Sequence, residues 1–168
     1  MKNLLVLIIT LFAFFGCGED ESSNANFKEF SPNEEVKLVD VSGKELTLVR
    51  KDHGFAIKND ENKVLMIDIF GTFCPPCQKE AAELTKYQLE NKDKFTLIGL
   101  THFENVTNEY VLHEFMQKFN AYYFITNDQK INDRLAEQIV RDIEYKHEIA
   151  LPFKVVIKNG EYQILTDV

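Results

Sequence analysis

The sequence has few cysteines and no excess of positive charge. Its 168 residues include three cysteines, Cys17, Cys74 and Cys77. Three are too few for a scaffold of several structural disulfides or for a zinc site with four cysteine ligands. The chain carries 27 acidic and 19 basic residues, a formal net charge of −8, whereas a nucleic-acid-binding domain shows a basic face. The sequence therefore argues against a disulfide scaffold and against a nucleic-acid partner.

The apolar run at the N-terminus is too short to span a membrane. It extends from Leu4 to Phe15, about 12 residues, whereas a spanning helix needs about 20. A run of this length behind one lysine is typical of a signal peptide. The small residue Gly16 before Cys17 resembles the lipobox of bacterial lipoproteins, although Phe14 stands where that motif usually has leucine. The resemblance implies cleavage before Cys17 and lipid attachment to its sulfur; an ordinary secretory signal with an incidental cysteine is the alternative.

The rest of the chain shows no internal repeat, which favours a single domain. Residues 18–35 are polar and acidic and lack periodicity, so they are predicted to form a flexible tether. The predicted organisation is a signal peptide over residues 1–16, a lipid anchor and tether over 17–35, and one domain over 36–168. Cleavage of either kind of signal would place this domain outside the cytoplasm.

Hydrophobic periodicity predicts an α/β domain. Residues 36–50 alternate in polarity around Ser42-Gly43, which favours a β-hairpin. Two near-continuous apolar runs, residues 62–70 and 95–100, indicate buried strands. The helix predicted between them, over residues 79–90, would make a right-handed parallel βαβ unit.

The C-terminal half continues with alternating helices and strands. A helical pattern covers residues 108–119, and a second covers 132–149 with Asn132 or Asp133 as its predicted N-cap. A short strand is expected at residues 121–126. Asn159-Gly160 predicts a two-residue hairpin between the last two strands.

Two cysteines, Cys74 and Cys77, lie between a predicted buried strand and a predicted helix. A C-x-x-C motif in a βαβ context indicates a redox pair. The helix N-terminus would stabilise a thiolate on Cys74 through unpaired N–H groups and the helix dipole. Pro75 and Pro76 are tolerated there because the first-turn N–H groups have no helical partner. Cys77, almost one turn further, is the predicted resolving thiol, which attacks a mixed disulfide formed by Cys74.

A metal site is the alternative for these cysteines. Two thiolates with histidine support could bind copper or zinc. The four histidines, His53, His102, His113 and His147, show no paired ligand spacing. We therefore expect no metal and no bound cofactor.

The segment FGTFCPPCQKE, Phe70 to Glu80, resembles the active-site segment of thioredoxin-fold proteins. C-P-P-C is common among the extracytoplasmic TlpA/ResA-like thiol–disulfide oxidoreductases, and the similarity extends from about Val36 to the C-terminus. It implies an α/β, thioredoxin-like fold with an N-terminal β-hairpin and a central helix–strand insertion over residues 105–126. Such proteins usually end in a helix, which is expected to be missing here because the sequence stops just after the last predicted hairpin.

The resemblance also implies roles for residues around the redox disulfide of Cys74 and Cys77. Asp68, six residues before Cys74, corresponds to a buried acid that exchanges protons with the second cysteine. Burial would raise the pKa of this carboxyl; the alternative is that Asp68 faces solvent. Leu151-Pro152 opens the late strand where the family places a cis-proline, and the backbone of Leu151 would pair with the substrate.

The aromatic and proline residues of the motif are the predicted substrate contacts. Phe73 stands where the family usually has tryptophan, a residue that this chain lacks. Pro75 and Pro76 would flank the bound substrate. Phe70 is expected to supply a second aromatic ring at the rim of the site.

The resemblance implies a periplasmic, lipid-anchored enzyme that reduces disulfides in partner proteins, of the cytochrome c maturation type. Its partners would be proteins with disulfides or thiols, a membrane dithiol electron donor, and a lipid membrane through Cys17. A disulfide-forming oxidase of the DsbA kind is the contrary hypothesis, although such proteins usually have a histidine within C-x-x-C and a large helical insertion, and this sequence has neither. A third hypothesis is a lipoprotein that binds or delivers metal.

Overall fold

A computed structural model describes residues 27–163 of the chain. The predicted signal peptide, Cys17 and residues 18–26 of the predicted tether lie outside the described residues. None of the helices between residues 27 and 163 combines the length and the apolar character needed to cross a bilayer.

A small antiparallel sheet begins the described fold. Its strands are β1 (Glu35–Val39), β2 (Glu45–Arg50) and β3 (Phe55–Ile57), paired in that order. The predicted hairpin joins the first two strands, and Val39 pairs with Glu45 at its end. Gly43 in the turn has a φ of +91°, a conformation that glycine adopts without steric cost.

A five-stranded mixed sheet forms the centre of the domain. Its strands and the helices around it are β4 (Val64–Phe70), α1 (Pro75–Glu90), β5 (Phe95–Thr101), α2 (Asn108–Tyr110) with a π-helical continuation (Val111–Gln117), β6 (Phe124–Thr126), α3 (Gln129–Asp142), β7 (Phe153–Lys158) and β8 (Glu161–Tyr162). The spatial order is β6-β5-β4-β7-β8. Strands β4, β5 and β6 run parallel, and β7 and β8 are antiparallel additions. The predicted parallel βαβ unit, β4-α1-β5, is therefore confirmed.

Each face of the central sheet is covered by its own apolar cluster. On one face, Leu135 and Ile139 of α3 pack with Ile67 and with residues of the small sheet. On the other face, α1 and the π-helical segment pack around Phe70, and this cluster includes both cysteines of the C-x-x-C motif. Because side chains alternate along a strand, Asp68 faces the same side as Phe70, the side that α1 covers.

Helix α3 begins one turn earlier than the sequence predicted. Its N-cap is Asp128, whose side chain accepts a hydrogen bond from Ile131 N at 3.1 Å. Asn132, a predicted cap, is fully buried. Its side-chain amide donates to the carbonyl oxygens of Thr101 and Thr126 at 3.0 and 2.9 Å, so this asparagine serves the sheet rather than the helix end.

Part of the predicted tether packs against the domain. Phe30 is buried, and its ring meets that of Phe55 edge-on, with 5.5 Å between the centroids. The guanidinium of Arg134 lies 3.5 Å from the centroid of the Phe30 ring and donates to the backbone oxygen of Lys28 at 2.7 Å. The segment from residue 27 to the start of β1 is thus in contact with α3.

Candidate functional site

The two cysteines of the motif form a disulfide at the N-terminus of α1. Cys74 is the N-cap residue, and its sulfur accepts a hydrogen bond from Cys77 N at 3.4 Å. Pro75 and Pro76 occupy the first turn and are exposed. An amide N–H and the helix dipole therefore act on the Cys74 sulfur, the arrangement that stabilises a thiolate.

A network of hydrogen bonds fixes the turn that carries Cys74. Cys74 N donates to Gly71 O at 3.0 Å. The backbone N–H of Thr72 donates to the Glu104 carboxylate at 2.8 Å, and its hydroxyl donates to the second carboxylate oxygen. Gln78 donates to Thr72 O at 2.7 Å. No local pattern in the sequence points to Glu104, because its partner is 32 residues away in the chain.

Asp68 is buried, as the resemblance implied, and it does not face solvent. Its side chain is 1% exposed. Burial raises the pKa of Asp68 to about 6, while the nearby Lys154 ammonium acts to lower it and the Glu80 carboxylate to raise it. A carboxyl group with a pKa near neutrality can both accept and release a proton.

Lys154 connects Asp68 to Glu80. It pairs with Asp68 across the β4–β7 ladder, and its Nζ atom lies 3.0 Å from Asp68 Oδ1. The same ammonium contacts Glu80, which lies three residues after Cys77 in α1. Sequence reasoning missed both residues; a lysine within the apolar run FKVVI was the available signal.

The Leu151-Pro152 bond is cis, as the resemblance implied. Pro152 lies directly before β7, whose first residue, Phe153, pairs with Ile69 of β4. Leu151 packs against the apolar cluster that contains Cys74. The topology therefore brings the proline to the end of β4 from which the redox motif follows.

The aromatic residues of the motif differ in their exposure. Phe73 is 57% exposed, in keeping with a substrate contact. Phe70 is fully buried and packs on Phe115, with 4.7 Å between the ring centroids. The expectation that Phe70 lies at the rim is therefore wrong, because its ring is buried between the sheet and the π-helical segment.

Over residues 27–163, no group of three or more histidine, cysteine, aspartate or glutamate side chains is arranged to hold a metal ion. The functional groups that the structure does bring together are a disulfide, a buried carboxyl and an ammonium–carboxylate pair.

Comparisons with known proteins identify the fold. No family model and no curated protein sequence matches the chain. A candidate protein disulfide isomerase from Bacteroides thetaiotaomicron matches with a TM-score of 0.57 and 24% identity, covering 84% of this chain and 79% of the other. A thiol:disulfide interchange protein of the thioredoxin family from Chlorobium tepidum matches with a TM-score of 0.55 and 18% identity, covering 79% and 81%.

A third solved structure is a secreted disulfide oxidoreductase from Mycobacterium tuberculosis, described as homologous to DsbE of E. coli. It matches with a TM-score of 0.50 and 15% identity, covering 79% of this chain and 84% of the other. The neighbours thus include proteins described as thiol–disulfide oxidoreductases and interchange proteins. The chain has the thioredoxin-like fold.

Proposed function

We propose that this protein is a thiol–disulfide oxidoreductase acting on other proteins. The observation that carries the proposal is the Cys74–Cys77 disulfide at the N-terminus of α1, the helix that follows the strand with the buried Asp68. The sulfur of Cys74 receives the hydrogen bond from the helix N-terminus, so Cys74 is the proposed nucleophile and Cys77 the resolving thiol. The fold shared with described oxidoreductases supports this assignment.

The reaction is a two-electron exchange between dithiol and disulfide. In the reducing direction, the Cys74 thiolate attacks one sulfur of a substrate disulfide, and the other substrate sulfur leaves as a thiolate and takes a proton. Cys77 then loses its proton and attacks the Cys74 sulfur. The substrate sulfur that was joined to Cys74 leaves as a thiolate and is protonated. The protein then contains the Cys74–Cys77 disulfide. A dithiol protein restores the reduced pair by the same exchange and is itself oxidised.

Asp68 is the proposed acceptor of the Cys77 proton. Cys77 projects from α1, which covers the face of the sheet that Asp68 occupies. The raised pKa of about 6 makes the carboxylate a stronger base than an exposed aspartate while leaving it largely ionised at neutral pH. The substrate would be contacted around the disulfide by Phe73, Pro75, Pro76 and the Leu151-Pro152 segment.

We propose further that the protein acts outside the cytoplasm as a reductant of the cytochrome c maturation type. The signal-like N-terminus and the lipobox-like Gly16-Cys17 support periplasmic location with a lipid anchor on Cys17. A neighbour described as secreted and homologous to DsbE is in keeping with this location. The electron source would be a membrane dithiol protein.

The reduction potential of the Cys74–Cys77 pair tests both the activity and its direction. It is measured by equilibration against dithiothreitol or glutathione buffers, with a Cys74→Ser/Cys77→Ser double variant as the inactive control. A value near −270 mV, as in thioredoxin, is expected for a reductant, whereas a value near −120 mV, as in DsbA, would reverse the direction. A stoichiometric metal retained after chelation, together with no thiol exchange, would overturn the enzyme proposal.

A further inference from the structure

One lysine lies between the buried carboxyl of Asp68 and the helix that carries Cys77. Lys154 is the cross-strand partner of Asp68 in the β4–β7 ladder, so both side chains project from the same face of the sheet. Its Nζ atom lies 3.0 Å from Asp68 Oδ1. Glu80 contacts the same ammonium from α1, one turn after Cys77. The ammonium is therefore shared by a buried carboxylate and a carboxylate on the redox helix.

The other described groups that face Asp68 carry no charge. On β5 its cross-strand partner is Gly99, which has no side chain. The Tyr123 ring covers this glycine, because a Cβ atom placed on Gly99 would lie 3.1 Å from Tyr123 Cε2. Burial, and after it the charges of Asp68 and Glu80, raise the pKa of Tyr123, so its phenol stays neutral. Lys154 therefore supplies the positive charge at this carboxyl.

The ammonium acts on Asp68 through its charge rather than through a well-aligned hydrogen bond. Asp68 Oδ1 is buried and has no hydrogen-bond partner of good geometry among the described residues, although the Lys154 ammonium lies 3.0 Å away. An opposite charge at this separation favours the ionised carboxyl. The carboxylate thus keeps an oxygen that can accept a proton.

Three influences on the ionisation of Asp68 have known directions. Burial is the largest and raises the pKa of the carboxyl, Lys154 lowers it, and Glu80 raises it. Burial without the ammonium would favour the neutral acid, which cannot accept a proton. Glu80 opposes the effect of Lys154 because it carries the same charge as Asp68 and partly neutralises the ammonium. Loss of Lys154 and loss of the Glu80 charge should therefore act on Asp68 in opposite directions.

We propose that Lys154 is a positioning residue for the resolving step, whose ammonium keeps the Asp68 carboxylate ionised and ready to take the proton of Cys77. This inference rests on the oxidoreductase function proposed above. In that step the Cys77 proton passes to Asp68, and the Cys77 thiolate attacks the Cys74 sulfur. The leaving group departs with the electron pair of the broken bond, and Asp68 later returns the proton to water. Lys154 touches Asp68 and not the substrate.

The first measurement is the pKa of Asp68 itself, by nuclear magnetic resonance of its carboxyl carbon in the oxidised protein, where the cysteines do not titrate. Lys154→Met removes the charge, and Lys154→Arg keeps it. Glu80→Gln removes the opposing charge but retains an oxygen that accepts from Lys154. Lys158→Met, at an exposed position on the same strand, is the matched control.

The second measurement follows the resolving step directly. Reduced protein is mixed with dithiobis(nitrobenzoate), a small aromatic disulfide, over a range of pH. One thionitrobenzoate is released when the Cys74 thiolate attacks, and a second when Cys77 attacks the mixed disulfide. The first release is an internal reference, because it needs no proton from Cys77.

We expect Lys154→Met to raise the pKa of Asp68 by about one unit or more, the usual effect of losing an opposite charge in contact. The pH at which the second release is half-maximal should rise with it. Glu80→Gln should lower both values, while Lys154→Arg and Lys158→Met should leave both unchanged. A residue with only a structural role would not produce displacements of opposite sign.

An unchanged Asp68 pKa in Lys154→Met, or a displaced pKa with an unchanged second release, would overturn the inference. Neither result would affect the enzyme proposal, because the unmodified protein would still release both equivalents. Failure of the unmodified protein to release the second equivalent would overturn the enzyme proposal and this inference with it.

Discussion

The two cysteines differ in what surrounds each sulfur more than in exposure, since Cys74 is 5% and Cys77 2% exposed. The Cys74 sulfur accepts the helix N-terminal hydrogen bond, which favours its thiolate as the attacking group. We expect Cys77→Ala to accumulate mixed disulfides with substrate proteins, because the resolving thiol is absent. Cys74→Ala should accumulate few. Non-reducing electrophoresis after acid quenching measures the trapped species, and equal trapping by both variants would refute the assignment.

Asp68 makes the stability of the protein depend on pH in a defined direction. Its pKa in the folded protein is about 6, above the ordinary value of 3.8, so the folded protein holds a proton that the unfolded chain releases between these values. This proton raises the free energy of unfolding at low pH. The increase disappears as the pH rises through 6. The difference amounts to roughly 3 kcal/mol.

Asp68→Asn should therefore remove the decrease in the free energy of unfolding that the titration of Asp68 causes. Urea unfolding of the oxidised protein at pH 4 and pH 7 should show a smaller decrease for Asp68→Asn than for the unmodified protein. Disulfide exchange at pH 7 should slow roughly a hundredfold, because Cys77 loses its proton acceptor. Asp93→Asn, at an exposed position, is the control. Unchanged exchange kinetics with a large loss of stability would mean that Asp68 is only structural.

At the scale of elements, one buried ion pair joins the small sheet to α3. Arg50 of β2 donates to Asp142 at the end of α3 at 2.8 Å, and both side chains are less than one-tenth exposed. Tyr162 of β8 donates to the same carboxylate at 2.9 Å. Asp142 thus holds three elements together, and its removal would leave a buried guanidinium without its charged partner.

We expect Asp142→Ala to lower the free energy of unfolding by about 3 to 5 kcal/mol, the cost of an uncompensated buried charge. Glu137→Ala is the matched control on the same helix, because its pair with Arg141 is about one-third exposed. That change should cost at most about 1 kcal/mol. Urea unfolding monitored by circular dichroism measures both, and similar small losses would show that Asp142 is dispensable.

The sequence predicted those elements whose signals are local. The apolar run of β4 and the Asn159-Gly160 turn identified their strands directly, and both turn residues have positive φ. The start of α3 was placed too late, since Asn132 looks like a cap but bonds to the sheet. The Glu104–Thr72 and Lys154–Asp68 contacts could not be predicted, because each joins residues more than 30 positions apart. No periodicity in the chain encodes such pairings.

At the scale of the whole molecule, the packed segment before β1 limits how far the domain can stand from a membrane. The predicted tether covers residues 18–35, but residues from Phe27 onward belong to the packed structure. If Cys17 carries lipid, as proposed, residues 18–26 connect it to the domain. Nine residues reach about 30 Å at full extension, so the point where the domain joins its tether would stay within about 30 Å of the membrane that would hold the proposed dithiol donor.

This limit requires that the segment from Phe27 to the start of β1 be a stable part of the fold. Phe30 is 5% exposed and lies between Phe55 and the Arg134 guanidinium. We expect Phe30→Ala to lower the free energy of unfolding by about 3 kcal/mol or more, as for other buried phenylalanines. Phe27→Ala, which removes a half-buried ring that lies 4.6 Å from the Arg141 guanidinium, should cost about 1 kcal/mol or less.

Urea unfolding measures both variants, and hydrogen exchange of the Phe30 amide provides a local readout. That amide donates to Gln138 at 2.9 Å, so it should exchange as slowly as the amides of α3. Rapid exchange together with a small effect of Phe30→Ala would mean that the segment from Phe27 to the start of β1 is part of the flexible tether. Seventeen residues, 18–34, would then separate the lipid from β1, and the reach would nearly double to about 60 Å, because the segment would no longer be held against the domain.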